Sequence, residues 1–139
     1  MAGVARYMAD TSAFARHRVA DVAAVLDPLI SGRLLATYGL LELELLHPAR
    51  TFEDLSTLAY RRRACLDWLT TEDADIRRAL ETQAALSQRG HRVAWPDLVT
   101  AAVAERHQVT LLHYAADYDL IADLTGQETR WVVPKGSVS

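Results

Sequence analysis

The chain has 139 residues, half of them hydrophobic, which suits one domain over residues 1–139 built around a single core. Its 15 basic and 18 acidic residues give a net charge of −3, which excludes a protein that holds nucleic acid or a membrane surface through an overall positive field. A single cysteine, Cys65, excludes an internal disulfide and a cysteine zinc site. We expect a cytoplasmic protein with neither signal peptide nor membrane span, because no stretch is long and apolar enough for either.

The N-terminal segment predicts a strand that ends in a polar turn. Residues 4–8 fit a short strand, and Asp10, Thr11 and Ser12 follow it closely. These polar residues can cap a helix that begins at Ala13. Asp10 is therefore expected at the carboxyl end of the first strand.

The next patterns indicate a helix, a strand and a second helix. Apolar residues recur with helical spacing through residues 19–31, and residues 34–38 fit a second strand. The sequence that follows fits both strand and helix periodicity, and we favour a helix that begins near Leu40. Glu42 and Glu44 then lie two positions apart and cannot share a helical face, so at most one of them points to the carboxyl edge of the sheet.

Two longer helices are predicted in the middle of the chain. Residues 51–69 have helical apolar spacing, with the three arginines at 61–63 on the exposed side. Residues 71–89 form the clearest helical pattern, with Thr71 as the capping residue and a stop at Gly90. The three arginines are more simply interpreted as a solvated helix face than as residues that bind RNA phosphates or acidic groups of a partner protein.

A nearly uncharged segment follows, and the other elements are predicted to surround it. Pro96 and Asp97 suit the first turn of a helix, and residues 98–104 are small and apolar on every side, as in a deeply buried helix. Residues 109–114 are apolar and partly β-branched, which indicates a central strand buried on both faces. Asp117 follows this strand, where parallel sheets commonly build their sites.

The last predicted elements are a short helix over residues 119–124 and a strand over residues 129–133. Asp119 is expected to be the N-cap of that helix rather than a ligand, because helix starts favour aspartate. Strands that alternate with helices predict an α/β domain of three layers. Helices then flank a mainly parallel central sheet of four to five strands.

Four carboxylates are expected to meet at the carboxyl edge of this sheet, namely Asp10, Glu44, Asp97 and Asp117. So many negative charges repel one another unless protons or hard cations compensate them. Ligands that are all oxygen favour Mg²⁺ or Mn²⁺ over zinc. Such an ion can activate a water molecule and neutralise charge on a phosphodiester, so the pattern indicates a metal-dependent nuclease. Thr11 and Ser12 are candidates for orienting the water or the metal shell, although helix capping explains them about as well.

Several stretches of the sequence resemble PIN-domain ribonucleases of the VapC toxin group. They are Asp10 to Ser12 after the first strand, the ELLHPAR run that starts at Glu44, PDL at 96–98 with the following AAVAERH, and the closing DYDLIADLTGQETRWVVPKGS. The resemblance covers the whole chain. It implies an endoribonuclease that depends on Mg²⁺ or Mn²⁺, forms a homodimer, cleaves structured RNA such as tRNA or rRNA, and is inhibited by a VapB-type antitoxin laid across its site.

The resemblance also implies a set of site residues by position. The catalytic residues that it implies are Asp10, Glu44, Asp97 and Asp117, and the metal ligands among them are Asp10, Asp97 and Asp117. Glu44 is preferred to Glu42 because it directly precedes the run that matches the family, at residues 45–50.

Ala115 departs from the pattern that this resemblance implies. The family has an aspartate two residues before the one matched by Asp117, and the residues on both sides of Ala115 match. We expect the loss of one acidic ligand to weaken metal binding and activity, to leave the fold intact, and to relieve repulsion in the metal-free protein. The sequence fits natural loss and deliberate substitution of an active-site residue equally well.

Two other functions stay open on the sequence. A non-catalytic binding module that keeps the fold would explain Ala115. A phosphoacceptor signalling domain also places carboxylates and Mg²⁺ at the edge of an α/β sheet, and Lys135 resembles its late lysine. That class needs an acidic pair after the first strand, where only Asp10 is present, so the ribonuclease is favoured.

The histidines and aromatic residues are more simply interpreted as structural. His113 ends a buried strand and is expected to be a hydrogen-bonded core imidazole rather than a base. Trp95, Tyr118 and Trp131 are expected in the core or in a dimer interface rather than as stacking platforms for bases, because they are not interleaved with basic residues.

Overall fold

The computed structural model describes residues 4–139 and has a five-stranded parallel sheet with helices on both faces. The strands are β1 (Tyr7–Ala9), β2 (Leu35–Thr37), β3 (Asp67–Trp68), β4 (Thr110–His113) and β5 (Thr129–Trp131). The helices are α1 (Thr11–Phe14), α2 (Ala20–Ser31), α3 (Gly39–Leu46), α4 (Phe52–Cys65), α5 (Asp73–Gln88), α6 (Trp95–Arg106) and α7 (Asp117–Thr125). The strand order is β3-β2-β1-β4-β5. The prediction of a three-layer α/β fold around a mainly parallel sheet of four to five strands is confirmed.

Two hydrophobic cores cover the two faces of the sheet. Successive strand residues point to opposite faces, so Met8 and Leu111 belong to one core, whereas Ala9 and Leu112 belong to the other. Helix α6 lies in the first core, and all seven residues at 98–104 are buried, as their composition predicts. The cores hold the sheet rigidly between the helices, and this rigid sheet positions the residues at its edge.

The sheet register brings distant parts of the chain to one edge. Strand β1 is central and pairs in parallel with β2 on one side and with β4 on the other. The backbone N–H of Asp10 donates to the carbonyl of Leu112 at 3.1 Å, which continues the pairing of β1 with β4. Because parallel strands end at the same edge, the residues that follow β1, β2 and β4 become neighbours there.

The predicted helix over residues 51–69 is wrong at its C-terminal end. Helix α4 ends at Cys65, and β3 follows as an edge strand parallel to β2. The backbone N–H of Leu69 donates to the Thr37 carbonyl at 2.8 Å, so the free edge of β2 supplies partners that a continued helix would not reach. The arginines at 61–63 are not all exposed either, because Arg62 is buried.

The predicted starts of two helices, α1 and α5, are also shifted. Helix α1 begins at Thr11, with Asp10 as its N-cap, rather than at Ala13. Helix α5 begins after Glu72 rather than after Thr71, because the Asp75 carboxylate accepts a hydrogen bond from the Glu72 backbone N–H at 2.8 Å.

The N-cap role predicted for Asp119 is wrong. Helix α7 begins two residues earlier, at Asp117, and Ala116 is its N-cap. The Asp119 carboxylate instead accepts a hydrogen bond from the Trp131 indole N–H at 3.1 Å. Within residues 4–139, no helix is long and apolar enough to cross a membrane.

Candidate active site

Asp10 lies at the centre of the carboxyl edge of the sheet and is only 2% exposed. Its Oδ1 atom accepts hydrogen bonds from the Ser12 hydroxyl at 2.6 Å and from the Ala13 backbone N–H at 3.2 Å. The Ser12 hydroxyl in turn accepts a hydrogen bond from the Tyr114 backbone N–H at 2.7 Å. Burial raises the pKa of Asp10, and these hydrogen bonds oppose that shift. Ser12 therefore fixes the Asp10 carboxylate relative to the end of β4.

Asp97 lies in the first turn of α6, half-buried and close to Asp10. Its Oδ1 atom accepts a hydrogen bond from the Tyr118 hydroxyl at 3.2 Å. Burial raises the pKa of Asp97 to about 6, and the negative charges of Asp10 and Asp117 add to this shift. The charges of Asp10 and Asp117 thus both act on Asp97, although 107 positions separate those two residues along the chain.

Glu44 projects from α3 towards the same carboxylates. Its side chain is half-buried, and its pKa is raised by burial and by the charges of Asp97 and Asp10. Only Glu44 of the two acidic residues on α3 lies near this cluster, as their helical spacing predicts.

Glu42 forms a buried ion pair with Arg62. Both of its carboxylate oxygens accept hydrogen bonds from Arg62, the shortest at 2.8 Å, and Oε2 also accepts one from the Thr37 hydroxyl. The Arg62 guanidinium also covers the ring of Phe14, with its central carbon 4.4 Å from the ring centroid. These contacts join α3 to α4, β2 and α1, and they fix the helix from which Glu44 projects.

Asp117 and Ala115 lie where β4 passes into α7. Asp117 is half-buried in the first turn of α7. The backbone N–H of Ala115 donates to His113 Nδ1 at 3.2 Å, and its carbonyl accepts from the Tyr118 backbone N–H at 3.2 Å. The backbone of this turn is therefore held in place, but the methyl group of Ala115 offers no oxygen ligand at a position where the resemblance implies a carboxylate.

Sequence reasoning missed the contact that Tyr118 makes at this edge. The side chain is completely buried, which confirms the expectation of a core aromatic residue. Its hydroxyl, however, donates a hydrogen bond to Asp97 Oδ1 at 3.2 Å. The only local signal is its position directly after Asp117, which does not show which partners the hydroxyl has.

Two known ribonucleases are similar to this chain over nearly its whole length. No family model matches the chain. Ribonuclease VapC21 of Mycobacterium tuberculosis (strain CDC 1551 / Oshkosh) is 42% identical over 134 residues, which cover 95% of this chain and 97% of that protein. Ribonuclease VapC51 of Mycobacterium tuberculosis (strain ATCC 25618 / H37Rv) is 37% identical over 136 residues, covering 96% of this chain and 97% of that protein. The chain belongs to the VapC ribonuclease family.

Solved structures of VapBC proteins share the fold of this VapC chain. DNA-bound VapBC from Salmonella typhimurium matches with a TM-score of 0.76 at 13% identity, over 93% of this chain and 99% of that chain. VapBC-5 from Mycobacterium tuberculosis matches with a TM-score of 0.65 at 23% identity, over 91% of this chain and 98% of that chain. At these identities the matches support the three-layer fold and no finer statement.

The four carboxylates of this VapC chain suit a hard divalent cation in their chemistry. All four offer only oxygen atoms. Burial raises the pKa of Glu44 and of Asp97, and the charges of neighbouring carboxylates add to both shifts, so an ion would relieve part of this repulsion. In the described chain, residues 4–139, no three histidine, cysteine, aspartate or glutamate side chains are arranged to hold a metal ion. Metal binding at this edge would therefore require at least one of these side chains to move closer to the others.

A groove of about 520 Å³ adjoins Glu44. Its walls are mostly apolar, with Phe14, Leu45 and Leu58 on them, and Thr11 and Glu44 also line it. The lining residues come from α1, α3 and α4 among other segments, so a chain bound in the groove would contact Glu44 of the candidate site.

His113 is a poor candidate for proton transfer in this VapC chain. It is completely buried, and burial lowers its pKa to about 4, so the ring is neutral near pH 7. Its Nδ1 atom accepts the hydrogen bond from Ala115, whereas Nε2 has no partner within residues 4–139. The expectation of a hydrogen-bonded core imidazole is therefore correct for one ring nitrogen only.

Proposed function

We propose that this VapC chain is an endoribonuclease that depends on Mg²⁺ or Mn²⁺ and cleaves structured RNA such as tRNA or rRNA. The observation that carries the proposal is the cluster of Asp10, Glu44, Asp97 and Asp117, none of which forms a salt bridge within residues 4–139. An unpaired cluster of carboxylates at a sheet edge is costly for the fold and is retained where chemistry needs it.

Asp10, Asp97 and Asp117 are the residues that would hold the ion. When bound, the ion supplies a polarised water and neutralises charge on a phosphodiester. Asp10 is the most rigid of these ligands, because Ser12 and Ala13 both donate to its Oδ1 atom and leave Oδ2 without a donor from them. Glu44 has a raised pKa, and in this proposal it would accept a proton from the attacking water.

A VapB-type antitoxin is the partner that we propose for the groove beside Glu44. Several solved structures with this fold are described as VapBC complexes or VapBC systems. The apolar walls suit an apolar peptide segment. Because Glu44 lines the same groove, that segment would lie against the candidate site. We expect Leu58→Arg to weaken antitoxin binding, measured by titration calorimetry, while cleavage by the free toxin stays within about twofold.

We further propose a homodimer that is formed through α5 and the start of α6. Leu80 and Trp95 are 58% and 60% exposed there, and together with Ile76 they line a shallow apolar pocket. An apolar surface of this kind favours a second copy of the chain. Leu80→Glu should convert the dimer to a monomer in light scattering, and a wild-type monomer at high concentration would overturn this assignment.

The test of the ribonuclease is cleavage of total cellular tRNA and rRNA with Mn²⁺ and with EDTA. We compare the chain as it stands with Ala115→Asp, and we use Ala115→Asp combined with Asp10→Asn as the inactive control. Mn²⁺-dependent cleavage that is stronger in Ala115→Asp and absent in the control supports the proposal. If no form cuts RNA although all are folded, the chain is a non-catalytic binding module.

A further inference from the structure

The Tyr118 hydroxyl lies against an acidic side chain of the candidate site. It donates a hydrogen bond to Asp97 Oδ1 at 3.2 Å. The ring is completely buried, beside the His113 ring at a centroid distance of 4.9 Å, so the hydroxyl cannot turn out to solvent. A neutral O–H group is thus fixed against the Asp97 carboxylate.

The donors at this point are unevenly divided between the two carboxylates. Asp10 receives the Ser12 hydroxyl and the Ala13 N–H on Oδ1, so its orientation is set without help from Tyr118. Tyr118 is the only side-chain donor to Asp97 among the hydrogen bonds of residues 4–139. The orientation of Asp97 relative to Asp10 therefore depends on one hydroxyl group.

One oxygen of each carboxylate stays available in this arrangement. The bond from Tyr118 uses Oδ1 of Asp97, and the bonds from Ser12 and Ala13 use Oδ1 of Asp10. The Oδ2 atoms are then left for a cation. Partners that hold the ligands of a metal in place commonly change metal affinity by about 10–100-fold when they are removed.

We propose that Tyr118 is a positioning residue of the candidate metal site, and that its hydroxyl holds Asp97 in a fixed orientation towards Asp10. The inference rests on the proposed metal-dependent function and assigns a role to a residue outside the ligand set. Tyr118 contributes no ligand and transfers no proton. It sets the geometry that the ion meets.

The first experiment measures Mn²⁺ affinity by electron paramagnetic resonance of the free ion. We compare Tyr118→Phe with the parent protein, both in the chain as it stands and with Ala115→Asp. Tyr38→Phe is the matched control, because Tyr38 is also completely buried and its hydroxyl hydrogen bonds with Thr100 at 2.8 Å rather than with a site carboxylate. We expect Mn²⁺ to bind about 10-fold more weakly to Tyr118→Phe and within about twofold of the parent to Tyr38→Phe. Equal affinity in parent and Tyr118→Phe would overturn the role.

The second experiment does not depend on metal binding. Crystal structures of the parent and of Tyr118→Phe in EDTA give the orientation of Asp97 in each. A rotated Asp97 carboxylate, with Asp10 unmoved, supports the positioning role, whereas an unchanged Asp97 refutes it. If no form of the protein binds Mn²⁺, the metal-dependent function fails, and the EDTA structures still decide whether Tyr118 positions Asp97.

Discussion

Glu42 and Asp10 are both buried carboxylates beside the same edge of the sheet, yet their neighbours differ. Glu42 receives the Arg62 guanidinium on both oxygens, so its charge is compensated by a full opposite charge. Among the hydrogen bonds of residues 4–139, the Asp10 carboxylate accepts only from neutral donors, Ser12 and Ala13. A compensated acid of this kind holds elements together, whereas an uncompensated one remains available to a cation or a proton.

The same contrast separates Asp75 from Asp97. Burial alone raises the pKa of Asp75, but hydrogen bonds from Arg106 outweigh it and hold the pKa below its ordinary value. The shortest of these bonds joins Arg106 Nε to Asp75 Oδ1 at 2.8 Å. Asp97 has no such partner, and its pKa shifts upward to about 6. The direction of the shift thus distinguishes Asp75, which stabilises the fold, from Asp97 of the candidate site.

The largest effect is expected when the compensated pair is broken. Arg62→Ala leaves Glu42 buried without a counter-charge, and we expect the free energy of unfolding to fall by about 3–5 kcal/mol. Urea unfolding measures this loss. Arg61→Ala is the matched control, because Arg61 is exposed on the same helix, and its effect should stay below about 0.5 kcal/mol. Equal losses in the two variants would contradict a special role for the pair.

A smaller effect is expected from Asp97, whose charge no basic residue compensates within residues 4–139. This effect is a dependence of the free energy of unfolding on pH. The pKa of Asp97 is about 6 in the folded protein against an ordinary value of 3.8, so the unfolded chain loses this proton first. Stability from this group is therefore present below pH 3.8 and is lost as the pH rises through about 6. After allowance for solvent screening, the loss should be about 1–2 kcal/mol.

Urea unfolding in EDTA from pH 4 to pH 8 measures this dependence. Asp97→Asn lacks the titrating group, so its stability should fall less than that of the parent over the same range. Mn²⁺ at pH 8 should restore the stability of the parent. Parallel pH curves for the parent and the asparagine variant would show that Asp97 does not carry the effect.

Adding a further acid should sharpen the contrast. Ala115→Asp places another carboxylate at the end of β4, where the existing charges are unpaired, so the metal-free protein should lose about 1 kcal/mol near pH 8. Differential scanning calorimetry with and without Mn²⁺ measures this change. The ion should raise the melting temperature of the aspartate form more than that of the parent, and a more stable aspartate form in EDTA would count against repulsion at this edge.

The smallest effect is expected at a solvated pair. Arg77 and Asp73 on α5 approach to 2.7 Å, but their side chains are 78% and 76% exposed. Arg77→Ala should change the free energy of unfolding by less than about 0.5 kcal/mol, because water screens the pair. Chemical denaturation with and without 1 M NaCl tests this, and a loss near that of Arg62→Ala would show that burial does not decide the strength of these pairs.

Local sequence patterns were sufficient to predict several elements. The uncharged segment at 98–104 predicts a buried helix, and it lies within α6. The apolar run at 109–114 predicts a central strand, and β4 lies within it with strands on both sides. These predictions succeed because burial on all sides requires apolar residues, and that requirement is visible in the composition of the segment.

Other features were decided by tertiary contacts. Residues 66–69 continue a helical pattern, but the free edge of β2 provides hydrogen bonds that favour β3. Arg62 lies between two exposed arginines and is buried because Glu42 approaches from another helix. Neither outcome can be found from spacing alone, since the deciding partner lies more than 15 positions away in the chain.

The candidate site depends on both the local sequence pattern and the tertiary contacts. The sequence by itself indicated that Asp10 and Asp117 follow strands and that Asp97 lies in the first turn of a helix, and Asp10, Glu44, Asp97 and Asp117 stay the predicted site residues. The tertiary structure decided that Glu42 pairs with the buried Arg62, and that the Tyr118 hydroxyl donates to Asp97. The physical reason is that parallel strand order brings the ends of β1, β2 and β4 together, and no local pattern records which side chains then meet across that edge.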